Sequence, residues 1–181
     1  MSDTTTKENR AMEQAKAQLE SIVEMVRALD REAAAEDYAA TLGREKCLGL
    51  LADYEDKPDD IDELRELVAN GLGRDTLDDD DFEFDEDEAR ERIQEDPLEV
   101  SVRSGWYPIG SDETAPEEFK ILLCTGGPAV RIVGELDAFM QPFAARLQYQ
   151  DWFTPWEDYH IDNEEDEKAL LTYCQQFYFG D

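Results

Sequence analysis

Between Asp75 and Asp96 the chain reads DTLDDDDFEFDEDEARERIQED, thirteen carboxylates against two arginines. No packed interior can accept such a stretch, because an unpaired carboxylate is costly to remove from water and adjacent like charges repel. It must lie on the surface, and the rest of the chain must fold around it. Residues 75–84 are expected to form an extended loop, since Asp is a poor helix former. A helix is expected from Asp85 to Gln94, where Asp85, Glu86, Asp87 and Glu88 stand in the first turns and meet the positive end of the macrodipole. Arg90 and Arg92 follow, and Pro97 stops it. Phe82 and Phe84, two residues apart, are expected to pin the loop onto a core.

That core has to come from the flanking segments. Hydrophobic residues make up 41% of the chain, enough to outweigh the push toward disorder from a formal net charge of -30. Met12, Ala15, Leu19, Ile22, Val26, Leu29 and Ala33 recur in alternating steps of three and four, the seam of an amphipathic or coiled-coil helix over residues 10–39. The seam serves either intramolecular packing or a homodimer through the N-terminal helix. A second helical stretch is expected over Leu42–Tyr54, folding back as a hairpin. Asp60 followed by Glu63 reads as an acidic capping box, opening a helix through Ile61, Leu64, Leu67 and Val68 that ends at Gly71.

From Leu98 the period falls to two. Leu98–Arg103, Phe119–Cys124, Ala129–Leu136 and Phe143–Tyr149 predict four strands, joined by turns short enough for an antiparallel meander. A closing helix over 163–179 sets Leu170, Tyr173, Cys174 and Phe177 on one face. The expected class is α+β: an N-terminal helical region over 1–73, an acidic loop and helix over 74–97, and a four-stranded antiparallel sheet with a C-terminal helix over 98–181.

The sequence carries little that suggests catalysis. Its one histidine, His160, stands without a nucleophile motif, an HExxH or a glycine-rich phosphate loop, so no enzyme is expected. Cys47, Cys124 and Cys174 are too widely spaced for a zinc site. The acidic run fails the calcium-loop pattern, because Glu86 or Phe84 falls where glycine is needed and Arg92 or Arg90 where glutamate is needed. No cofactor or metal is expected. With no apolar run near ~20 residues and no signal-like N-terminus, the expected compartment is the cytoplasm.

The charge itself is the remaining clue. A field this negative disfavours direct binding of nucleic acid or membranes and attracts basic proteins. The expected contact is Asp78, Asp79, Asp80, Asp81, Glu83, Asp85, Glu86, Asp87 and Glu88, with a second cluster at Glu164, Glu165, Asp166 and Glu167. At ~1.7 Å of duplex per charge, thirty net charges match at most roughly 50 Å of DNA. Carboxylates three or four apart on a helix lie ~6 Å apart, close to phosphate spacing. The segment QDWFTPWEDY at 150–159 gathers aromatics, with Trp152 and Trp156 as interface anchors or as the filling of a packed corner.

The segments SVRSGWY, ILLCTGGPAVRIVGELD and QDWFTPWEDY resemble phage and prophage proteins over residues 98–160. In charge balance the chain is similar to anti-restriction and anti-CRISPR proteins that mimic nucleic acid. Together these imply an acidic counter-defence inhibitor whose partner is a basic nucleic-acid-binding host protein: a CRISPR complex, a nuclease or a restriction enzyme. The alternative is a dimeric structural or regulatory adaptor using the N-terminal seam and the Trp-rich corner.

Overall fold

The computed structural model describes residues 3–110 and 115–180. Six helices and one sheet follow in order: α1 (Asp3–Arg27), α2 (Arg31–Thr41), α3 (Arg44–Leu50), α4 (Ile61–Gly73), α5 (Glu86–Glu95), β1 (Glu99–Arg103), β2 (Glu118–Cys124), β3 (Ala129–Leu136), β4 (Pro142–Gln150), β5 (Glu157–Asp158) and α6 (Glu164–Cys174). The class is α+β. The chain divides into two compact units, one of residues 27–90 and one joining residues 1–26 to 91–181.

The smaller unit is helical. The long N-terminal helix expected over 10–39 is broken at 28–30, because Asp30 leaves helical geometry and caps α2, its Oδ1 accepting from the Ala33 amide at 2.9 Å. Packing joins α2 to α4, and α3 to α4. Their core holds Ala35, Ala39, Cys47, Leu51, Leu64, Val68 and Leu72. As expected, Asp60 caps α4, its Oδ1 accepting from the amides of Asp62 at 2.9 Å and Glu63 at 3.3 Å. The helix does not end at Gly71 but runs to Gly73. Gly71 instead lets the chain pass close by, since a Cβ there would stand 2.8 Å from that of Leu77.

The larger unit is built on a meander of order β1-β2-β3-β4-β5, antiparallel throughout. Among the described residues it has five strands, not four. The extra one, β5, is two residues long, too short to leave a period in the sequence. Register puts Val100, Ile121, Ile132 and Leu147 in one cross-strand row on the covered face, where α6 packs on β4. Phe119 meets Phe179 with ring centroids 4.8 Å apart, and Tyr173 is fully buried. The opposite face is open and polar, with Glu99, Leu122, Arg131, Gln148 and Asp158 in one row. In α1 the buried positions are Ala11, Ala15, Leu19, Ile22 and Met25, whereas Met12 is exposed. Of the seven seam residues, Ala15, Leu19 and Ile22 are buried, Val26, Leu29 and Ala33 are half-buried and Met12 is exposed; Ala11 and Met25 lie outside the seam.

Candidate partner-binding surface

The acidic stretch is tied down along its length. Asp79 is turned inward, its side chain only 4% exposed. It accepts from Lys46 Nζ at 2.7 Å and from the Tyr38 hydroxyl at 2.7 Å. Burial alone would raise its pKa, but Lys46, Tyr38 and the Asp81 amide together hold it below the usual carboxylate value. The same geometry, burial first and then Asp79, pushes the Tyr38 phenol up to about 12. Lys46 also reaches Asp81 at 3.0 Å, and Arg31 pairs with Asp75 at 2.7 Å. Of the two phenylalanines, Phe82 acts as expected, whereas Phe84 is half-buried and is not part of the helical core. Phe82 packs on the helical core and lies 5.4 Å from the Tyr38 ring, and the Arg31 guanidinium stands over both Phe82 and Phe84.

The helical part is ordered by its own charges. Asp85 caps α5, its Oδ1 accepting from the amides of Asp87 at 2.9 Å and Glu88 at 3.1 Å. Arg90 pairs back to Glu86 and to Asp87. Asp96, the last carboxylate of the stretch, accepts from the Tyr173 hydroxyl at 2.6 Å. The expected contact therefore splits in two. Asp79, Asp81, Asp85, Glu86 and Asp87 are engaged inside the chain. Asp78, Asp80, Glu83 and Glu88 are exposed and make no side-chain bond or ion pair among the described residues.

Between α2 and α4 lies a cavity of about 480 Å³ whose walls include Glu32, Glu36, Asp62 and Glu66 beside Arg65 and Arg74, so the helical unit is acidic there as well. In the other unit, Glu164, Glu165 and Glu167 are exposed on the first turn of α6. Asp166 is drawn into the cap, its amide and carboxylate both bonded to the Asn163 side chain. Among the described residues, no group of three or more His, Cys, Asp or Glu is arranged to hold a metal ion, and no helix is long and apolar enough to cross a membrane.

The aromatic corner is divided too. Trp156 is half-buried beneath the Arg131 guanidinium, 4.0 Å from its ring centroid. Trp152 is 60% exposed and Phe153 fully exposed, and Phe153 adopts φ 65°, a strained backbone for a bulky residue. Sequence reasoning passed over Lys46, Tyr38 and Arg31, which anchor the acidic loop from 30 to 50 residues upstream without a local signal. It also passed over Trp106 and Ile109, which are exposed in a loop whose Gly and Pro residues offered a cue. Compared with protein-family models, with curated proteins and with solved structures, the chain finds no match. Its function has to be argued from these residues.

Proposed function

We propose that this protein is an acidic inhibitor that occupies the nucleic-acid-binding surface of a basic host protein, such as a nuclease, a restriction enzyme or a CRISPR complex. The observation that carries this reading is the division of labour in the acidic stretch. One set of carboxylates, centred on Asp79, is spent fastening the segment to the fold. A second set, Asp78, Asp80, Glu83 and Glu88, is held exposed without a counter-charge among the described residues. A charge run needed only for solubility has no use for such fastening, whereas a mimic gains from preorganised charge, because less entropy is lost on docking. Glu164, Glu165 and Glu167 supply a further acidic surface.

The test is capture from a bacterial lysate on the immobilised chain, followed by competition with duplex DNA. Neutralising Asp78, Asp80, Glu83 and Glu88 together to their amides should lower affinity at least tenfold, with each single change far weaker. Binding should fall between about 0.15 M and about 0.5 M salt, as pairing between exposed charges is screened. A partner that DNA does not displace, or one that the fourfold variant retains at full affinity, refutes the reading.

One observation favours a second reading, an adaptor that binds through its aromatic corner. Phe153 is both strained and fully exposed, and the ring it meets, that of Trp152 at 6.1 Å between centroids, is itself exposed. Salt-resistant capture lost on replacing Trp152 and Phe153 with serine would support that reading instead.

A further inference from the structure

The free edge of the sheet is unlike the rest of this chain. Among the described residues, strand β1 is paired by β2 alone, so no described strand lies beside its outer edge. Its sequence, EVSVR, is electrically neutral within a chain of formal charge -30. Natural sheets blunt such edges with prolines, bulges or inward-pointing charges to prevent strand addition. Strand β1 has no proline and no bulge, its ladder to β2 is regular along its whole length, and its two charges, Glu99 and Arg103, are paired back onto β2.

Its apolar side chains are also left open. Val100 and Val102 stand opposite Ile121 and Phe119, which are buried in the core. Yet Leu98, Val100 and Val102 remain 61%, 39% and 48% exposed. The core row continues onto the edge strand, where among the described residues it is only partly covered. On the other face Glu99, Ser101 and Arg103 alternate with them. Glu99 and Arg103 have partners on β2, Lys120 at 3.0 Å and Glu118, and these pairs keep both charged groups over the sheet.

The order of these residues is self-complementary. If two copies of β1 run antiparallel about a two-fold axis through Ser101, Glu99 of each copy faces Arg103 of the other. In the same register Val100 faces Val102 of the second copy, extending the apolar row. A register displaced by two residues breaks the Glu99–Arg103 match while still setting apolar residues opposite one another, and a displacement by one turns the valines to the wrong face. Opposed charges and β-branched pairs in directly facing positions are the arrangement that stabilises antiparallel ladders.

We infer that β1 is a homodimerisation edge, at which two copies of this chain join their sheets in antiparallel register centred on Ser101. The surface is isologous, as a two-fold contact requires. Two bodies of charge -30 repel, so this association strengthens as salt rises. Partner binding through the acidic stretch responds in the opposite sense, which separates the two proposals experimentally.

The experiment is sedimentation equilibrium of the full chain at about 0.15 M and about 0.5 M salt, together with a cysteine scan of the strand. The expected species at high salt has twice the chain mass of 20.8 kDa. Directly facing residues have Cα atoms ~4.5–5.5 Å apart, within disulfide reach. S101C should therefore cross-link with itself under mild oxidation, and E99C should not. V102K and E99R should each be monomeric, as should R103E. Mixing E99R with R103E should restore a dimer, because that pair regains two opposite-charge contacts. Unchanged tryptophan fluorescence shows that each variant is folded. A monomer at both salts, a dimer that survives V102K, or equal cross-linking of S101C and E99C would overturn the inference.

Discussion

Replacing Asp96 with alanine removes a surface carboxylate, whereas Y173F alters the middle of the core, and the surface change should be the more damaging. Tyr173 is fully buried on α6, and its hydroxyl donates to Asp96 Oδ2 at 2.6 Å. Y173F deletes the donor and leaves an apolar ring in an apolar site, while Asp96 is exposed and regains water. The cost is that of one net hydrogen bond, about 1 kcal/mol. D96A strands a buried hydroxyl instead, and among the described residues no buried side-chain nitrogen or oxygen lacks a partner. That penalty is ~1–3 kcal/mol, with no further premium for the charge because Asp96 is solvent-screened. Combining D96A with Y173F should cost no more than Y173F alone, since neither partner is then left unmatched. Urea unfolding followed by tryptophan fluorescence reads the relevant unit, because Trp106, Trp152 and Trp156 all lie in it. With a slope of about 1–2 kcal/mol per molar, the midpoint should fall by roughly 0.5–1 M for Y173F and about twice that for D96A. A smaller loss for D96A than for Y173F, or additive losses in the double variant, would refute the reasoning.

Alkaline titration should show Tyr38 ionising at about 12, and D79N should bring that component back toward the ordinary ~10. Because the folded value is raised, the Tyr38 bond contributes stability below the ordinary tyrosine pKa and loses it as pH climbs toward about 12; difference absorbance of wild type, D79N and Y38F checks this. Asp79 has the opposite sign: its depressed pKa means that its contribution is present above the unfolded value of ~3.9 and lost as pH falls through the lower folded one. Hydrogen exchange in residues 75–84 should therefore stay protected until strongly acid pH in wild type, and lose that acid transition in D79N. G71A should destabilise the helical unit by ~1–3 kcal/mol in thermal unfolding, because a Cβ there meets Leu77 at 2.8 Å. A gain in stability, as alanine's helix propensity alone would give, would mean that Leu77 can move aside.

Sequence alone determined whatever depends on near neighbours along the chain. Asp60 and Asp85 cap helices because a cap bonds amides two or three residues away, and the four longer strands follow from a period of two that burial of one face imposes. The surface position of the acidic stretch follows from its charge, since no fold of this size could bury it. Tertiary structure decided which carboxylates remain on offer. Asp79 and Asp80 are adjacent and chemically identical, yet one is turned inward onto Lys46 and Tyr38 and the other is exposed, because the anchoring groups come from helices more than thirty residues upstream. The same holds for Asp96, whose partner lies 77 residues away on α6, and for the two-residue β5, which exists only because β4 offers it an edge. Local pattern carries no record of contacts between distant segments. The candidate surface was therefore legible as a region, and only the fold sorted its residues into those that hold it and those that face a partner.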